Sequence, residues 1–213
     1  MEKFLVFHTR YKDVQIGYFE LNNLIELYVL DTIKVSKCLL VTIETIFKKF
    51  DISLKNISFL AAHLGPAPYT TLRVVLATLN GINFSLGTPL IGVNGLIAFL
   101  KHLDNAETNI ILLNAFGNDL YYGISSPNCP TYSFGCKNVN TLLKEIDEQI
   151  TGNINFWGNG SIMYKNDIDQ IFGCRALMHF DAEIVPIEFL GKEALSKWYN
   201  KQSSQELLPI YLK

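Results

Sequence analysis

Hydrophobic and polar residues alternate with a period of two at the start of the chain, and the period then lengthens to that of a helix. Phe4, Leu5, Val6 and Phe7 form a short apolar run, and Val14, Ile16 and Tyr18 alternate with polar neighbours. Beyond the turn signal Leu21-Asn22-Asn23, Ile25, Leu27 and Val29 repeat the alternation, so three successive antiparallel strands are predicted. Asp31-Thr32 offers a helix start. Over 35–50, Leu39, Leu40, Ile43, Ile46, Phe47 and Phe50 fall at helical spacing with Lys37, Glu44 and Lys48 opposite. An all-apolar strand over 57–62 then runs into the loop His63-Leu64-Gly65-Pro66-Ala67-Pro68. A second helix opens near Thr70 and runs to Leu86, Gly87-Thr88-Pro89 ends it, and a strand over 90–93 follows. Strand, turn, helix and strand in that order make a parallel crossover unit.

The polar stretch 101–109, with His102, Asp104, Asn105 and Glu107, reads as a linker, which divides the chain into 1–104 and 105–213. Residues 110–113 and 120–124 read as two strands around Phe116-Gly117-Asn118-Asp119, a sequence suited to the positive φ of a tight hairpin. A helix over 142–150 and a strand over 154–157 follow, and no internal repeat is evident.

The 213 residues are 49% hydrophobic, enough for a proper core. With 18 basic and 20 acidic side chains and no run of like charge, the chain has no electrostatic reason to hold nucleic acid by itself. The four cysteines form no C-x-x-C pair, the first residues carry no signal-peptide pattern, and the run 74–86 is interrupted by Asn80 and Asn83. These features predict a cytoplasmic protein with reduced thiols and no membrane span.

Chemistry-bearing motifs are scarce. Gly65, Pro66 and Pro68 precede a helix N-terminus, where anions can bind, but the two prolines remove two amide donors and no phosphate-loop Lys-Ser/Thr follows. A stiff loop that fixes the entry of the helix is the favoured reading. Arg73, in the first turns of that helix, suits either a partner carboxylate or plain solvation. His8, His63, His102 and His179 lack metal-ligand spacing, and no G-x-S-x-G elbow is present. His179-Phe180-Asp181 could pair an imidazole with a carboxylate or simply lie in a surface loop. No catalytic residue, metal site or cofactor is predicted.

The positive signal is apolar surface on the second helix. Leu72, Val75, Leu76, Leu79 and Leu86 form one stripe suited to a sheet, and nearly opposite lie Val74, Ala77, Thr78 and Gly81, where a solvated helix would carry Lys and Glu. Either this helix is buried centrally in its own lobe or its second face meets another polypeptide.

Several segments resemble the bacterial TsaB (YeaZ) family. Gly65-Pro66, Thr70, Leu72-Arg73, Leu76-Ala77-Thr78 and Gly81, followed by 89–96 (Pro-Leu-Ile-Gly-Val-Asn-Gly-Leu), match its GPGSFTGLRIGLATAKG…GVSSLEAL stretch. Asn114, Asn118 and Tyr121 stand in its LDARRGEVY segment, Gly158-Asn159-Gly160-Ser161 with Tyr164 in its GxGA…Y segment, and 208–213 in its terminal P-x-YLR. The chain departs from the pattern at Thr71, Val75, Asn80 and 34–40, and His8 replaces the Asp of a D-T-S motif, so the magnesium-nucleotide site of related enzymes loses its hard oxygen ligand.

The resemblance implies an α/β fold of two ribonuclease-H-like lobes of the actin-like ATPase superfamily, each a mixed five-stranded sheet with flanking helices. It also implies a non-catalytic subunit that pairs with TsaD and, through it, with the ATPase TsaE in making threonylcarbamoyladenosine in tRNA. The tRNA would be met only indirectly, and the isolated chain could form a homodimer. The implied partner-binding residues are Leu39, Ile43, Ile46 and Phe47 on the first helix and Thr70, Arg73, Val74, Ala77, Thr78 and Gly81 on the second. An ATP-dependent kinase-like enzyme of the same superfamily and a metallopeptidase-like protein are the alternatives.

Overall fold

A computed structural model describes residues 1–103, 106–127, 129–180 and 182–212. The chain runs β1 (Lys3–Thr9), β2 (Asp13–Glu20), β3 (Asn23–Asp31), α1 (Val35–Lys49), β4 (Phe59–His63), α2 (Tyr69–Leu86), β5 (Leu90–Val93) and α3 (Gly95–Leu100). It continues with β6 (Thr108–Asn114), β7 (Asp119–Ser126), β8 (Cys129–Asn138), α4 (Val139–Gln149), β9 (Ile154–Trp157), α5 (Asn159–Met163), α6 (Lys165–Phe172), a 3-10 turn (Gly173–Arg175), β10 (Ala176–Met178) and α7 (Ile187–Tyr199). Two compact units result: Met1–Gly95 with Ile187–Tyr211, and Leu96–Pro186 with the last residues.

In the first unit the sheet order is β3-β2-β1-β4-β5, with β1, β2 and β3 antiparallel to one another in turn and β1, β4 and β5 parallel. Leu5, Phe7, Ile16, Tyr18 and Leu60 on one face pack against Leu39, Ile43 and Ile46 of α1 and Leu72, Val75 and Leu79 of α2. The opposite face carries Phe4, stacked on Phe19 at 5.2 Å and on Phe59 at 4.4 Å, and Phe59 meets Trp198 of α7 at 5.1 Å. Beyond α7 the chain stays on this unit: Ser204 N–H donates to Leu90 O at 2.8 Å, and Ile210 N–H to Leu64 O at 2.8 Å.

The domain division differs accordingly from the one expected at 104/105. Asp104 and Asn105 lie outside the described residues, and residues 187–211 belong to the first unit because α7 supplies the apolar cover for its second sheet face. On β3 the alternation is as expected but the inward set is the other one. Ile25, Leu27 and Val29 are 46%, 40% and 57% exposed, while Tyr28 and Leu30 pack on the core. Leu86, expected on the sheet-facing stripe of α2, is exposed at the helix end.

The second unit repeats the topology. Its order is β10-β9-β6-β7-β8, with β6, β7 and β8 antiparallel in turn and β6, β9 and β10 parallel. Ile110, Leu112 and Leu120 on this sheet, with Phe156 of β9, pack against Leu142, Leu143 and Ile146 of α4 and Ile168 and Phe172 of α6. At the hairpin after β6, Phe116 and Gly117 take the positive φ, and Asn114 Oδ1 accepts Phe116 N–H at 2.8 Å. Among the described residues no helix is long and apolar enough to cross a membrane.

Candidate functional site

The loop between β4 and α2 is wired into the first unit. Leu64 N–H donates to Val93 O at 2.8 Å, and Gly65 O accepts Gly95 N–H at 3.0 Å. Gly65 takes φ 116°, the bond to Pro66 is cis, and Pro68 occupies the N-cap of α2 without a side-chain cap. These bonds fit a loop that fixes where α2 begins.

Beside this loop, at the ends of β1 and β4, lie His8 and His63, both buried, with ring centroids 5.0 Å apart and edge to face. His63 Nδ1–H donates to Thr9 O at 3.2 Å, and a methyl group at Gly95 would run into Nε2 of the same ring. Burial pushes His63 down to about 4, and burial reinforced by His63 and Arg10 holds His8 well below the usual histidine range. Both ring nitrogens of His8 and the Thr9 hydroxyl are buried without a hydrogen-bond partner. Two buried imidazoles that disfavour the charged form thus stand together at the ends of β1 and β4. Asp13 is at the start of β2 and pairs with Arg10 at 3.5 Å. Among the described residues no three His, Cys, Asp or Glu side chains converge as a metal site requires. His179 stacks on Trp157 at 3.8 Å and bonds through Nε2 to Asn155 Oδ1 at 2.8 Å, while Asp181, its suggested partner, lies outside the described residues.

The residues expected to face a partner separate into two groups. Leu39, Ile43 and Ile46 are sealed in the core of their own lobe, and Phe47 is half-buried against it, so α1 turns its apolar stripe to its own sheet. The apolar side chains that α1 does expose are Leu40 and Val41, about 60% each. On α2 the expected residues differ in exposure, and Val74 leans on the core of its own lobe. Thr70, Arg73, Ala77 and Gly81 are exposed, and Val74 and Thr78 are half-buried, with Thr78 Oγ1–H donating to Val74 O at 2.8 Å. Space beyond Gly81 is open, since a methyl group added there would meet no atom within 4 Å. Phe84, 91% exposed, extends the stripe; it sits three residues past Gly81, and the helical spacing that picked out Gly81 also points to it.

Arg73 is held in place. Its guanidinium carbon lies 3.8 Å over the Tyr69 ring, and its Nε and Nη2 donate to Tyr211 Oη at 2.8 and 2.6 Å. Tyr211 arrives from far along the chain, next to the anchored Ile210, and Asn80 and Leu207 exchange a further pair of hydrogen bonds at 2.8 and 3.0 Å. The 65–81 and 208–211 segments picked out by resemblance therefore meet at one corner of α2. In the second lobe the Gly158-Asn159-Gly160-Ser161 segment has its own physical reason. A Cβ on Gly160 would come within 2.8 Å of the Leu112 carbonyl, and Asn159 Oδ1 accepts Asn114 N–H at 3.0 Å.

Comparison with known proteins adds to this picture. Residues 34–128 match the model of the family described as TsaD, tRNA N6-adenosine threonylcarbamoyltransferase. No curated protein matches the chain by sequence. Among solved structures, YeaZ from Pseudomonas aeruginosa is 16% identical with a TM-score of 0.74, and 100% of each chain is covered. A protein from the same organism described as uncharacterised, with similarity to peptidase YeaZ, is also 16% identical over 100% of each chain, with a TM-score of 0.75. A putative N-acetylmannosamine kinase from Listeria monocytogenes, 11% identical, matches with a TM-score of 0.53 over 94% of this chain and 99% of its own. The chain thus has the ribonuclease-H-like fold of YeaZ from end to end, and its residues 34–128, from α1 of the first unit through β7 of the second, match the TsaD family.

Proposed function

We propose that this chain is a divergent TsaB, a scaffold subunit with no chemistry of its own, which docks the exposed face of α2 against a TsaD-family transferase. Through that pair it engages a TsaE-like ATPase in the synthesis of threonylcarbamoyladenosine in tRNA, in a reducing cytoplasm. The observation that carries the reading is the surface of α2. This 18-residue helix has a single charged residue, Arg73, and its outward stripe of Thr70, Ala77, Gly81 and Phe84 is small or apolar. Small side chains let a second helix approach to the roughly 8 Å typical of tight packing, and an exposed phenylalanine gives such a partner an anchor. α1, which packs beside α2, exposes Leu40 and Val41 as well, and such apolar surface counts toward the roughly 800 Å² per partner that stable pairing needs. A net charge of -2 supports contact with tRNA through the partner rather than directly.

The test is reconstitution. The chain mixed with the TsaD-family protein of its own organism should elute as a heterodimer at micromolar concentration, and its gene should restore the modified nucleoside, read by mass spectrometry, in a bacterium depleted of TsaB. A chain that stays alone beside that protein and fails to complement would overturn the proposal. Micromolar binding of Mg-ATP to the chain alone would favour the kinase-like alternative.

A further inference from the structure

We infer that Arg73, clamped between Tyr69 and Tyr211, is the residue by which the α2 face recognises a carboxylate on its docking partner. The inference rests on the docking role proposed above and adds the chemistry that the partner must bring. A surface arginine without neighbours samples many rotamers, and ordering it on binding opposes association. Arg73 is exposed, yet it is already ordered by the Tyr69 ring beneath it and the Tyr211 hydroxyl along its Nε/Nη2 edge. A guanidinium has five N–H donors, and the two directed at Tyr211 occupy that lateral edge. The end-on pair of Nη1 and Nη2 is left for a second acceptor, in the geometry that fits a carboxylate with two parallel hydrogen bonds.

The surroundings call for that acceptor to be negative. Among the described residues no carboxylate forms an ion pair with Arg73. The first turn of α2 contains no acidic side chain, and its N-cap, Pro68, offers no side-chain acceptor. Among the described residues, the positive end of an 18-residue helix dipole and a fixed guanidinium therefore stand together without an acidic side chain paired to them. Arg73 flanks the stripe of Thr70, Ala77 and Gly81, so a partner helix laid on the stripe would bring its carboxylate to this corner and nowhere else along α2. The partner is thus a helix with small apolar residues along its contact face and one Asp or Glu near the end that meets the start of α2. An arginine at the rim of an apolar patch acts mostly on the rate and register of association, so its contribution should depend on salt.

The experiment measures affinity for the same organism's TsaD-family protein at 50 and 500 mM NaCl, using the 213-residue chain and its Arg73→Gln, Arg73→Glu, Arg73→Lys and Tyr211→Phe variants. At low salt, Arg73→Gln should weaken binding about tenfold and Arg73→Glu about a hundredfold, and both losses should shrink severalfold at high salt. Arg73→Lys should recover part of the affinity, and Tyr211→Phe should lose about threefold through the unheld guanidinium. One Asp or Glu of the partner, changed to its amide, should show no further loss when combined with Arg73→Gln. A wild-type chain that binds while all the Arg73 variants bind equally well overturns this inference and leaves the docking role standing. Equal losses for Gln and Lys at both salt concentrations, accompanied by a lowered thermal midpoint, also overturn it, because Arg73 would then only hold the 207–211 segment. A wild-type chain that does not bind overturns the docking role and this inference with it.

Discussion

The two lobes share one strand order and one pattern of parallel and antiparallel pairs, yet α2 of the first lobe lacks the outward charge that α1 beside it and the helices of the second lobe carry. In the second lobe, α4 and α6 are laced with charge: Lys144 pairs with Glu148 at 3.8 Å, Lys137 with Glu145 at 2.5 Å, Lys165 with Asp169 and Arg175 with Asp147. In the first, α2 has one charged residue in 18 and exposes Ala77, Gly81 and Phe84. A shared topology fixes where helices lie on a sheet and which stripe of each is buried. What the outward stripe carries is free to vary, and a helix that faces water accumulates ion pairs while one that faces a protein need not. The contrast between equivalent layers of one molecule is therefore better evidence for a docking face than the hydrophobicity of α2 alone.

The largest expected effect concerns the turn that each lobe makes from its fourth strand toward the next helix, through Gly65 in one and Gly158 in the other. Gly158→Ala should destabilise the protein by about 3–4 kcal/mol in urea unfolding, because φ 93° is disfavoured with a side chain and the new methyl group would run into the Leu112 carbonyl oxygen. A loss below about 1 kcal/mol would mean that α5 does not approach β6 as closely as described.

Next comes acid sensitivity, predicted for the buried histidine pair of the first lobe. The ordinary histidine value is 6.5 and that of folded His63 about 4, so on acidification the unfolded chain takes up its proton first. Stability should be constant above pH 6.5, fall between 6.5 and about 4, and level off below that as far as this group is concerned. The steepest slope is about 1.4 kcal/mol per pH unit for His63, and the lowered His8 acts in the same direction. Urea midpoints measured across the range check this, and His63→Gln should flatten the slope.

The two helix surfaces can then be set against each other directly. Gly81→Arg on α2 should weaken docking to the TsaD-family protein by about a hundredfold while leaving the thermal midpoint unchanged or slightly raised, because the site is open and arginine is the better helix former. Thr141→Arg, an exposed position on α4, should change neither. Equal effects in a binding titration would erase the distinction between the lobes. The smallest effect belongs to the charged surface: Glu148→Gln should cost about 0.3–0.5 kcal/mol and nothing in 1 M salt, since the Lys144 pair is largely solvated.

Much of the first lobe was legible in the sequence, because long periodic segments mark α1, α2, β4 and β5 to within about two residues. β8 was not, because it is an edge strand whose described side chains are exposed or half-buried, and it therefore carries no apolar alternation. β10, three residues long, has no room for a period. The site was half legible. Spacing shows which residues share a face of a helix, but not which body covers that face. The stripe of Leu39, Ile43 and Ile46 was thus given to a partner when it belongs to the helix's own sheet, while of the second face of α2 Ala77 and Gly81 are exposed, Thr78 is half-buried and Val74 leans on the core. The Arg73–Tyr211 bond joins residues 138 positions apart, a distance over which no local pattern speaks.

The return of residues 187–211 to the first lobe has a consequence for how the protein is made. During synthesis residues 1–95 leave the ribosome long before the segment that covers their sheet and braces Arg73, so the second lobe can close while the first still waits for its last pieces. A chain released before residue 187 would present α2 without its tyrosine brace and with Phe4, Phe19 and Phe59 uncovered, a form open to proteolysis. The first lobe thus depends on residues made after the whole of the second.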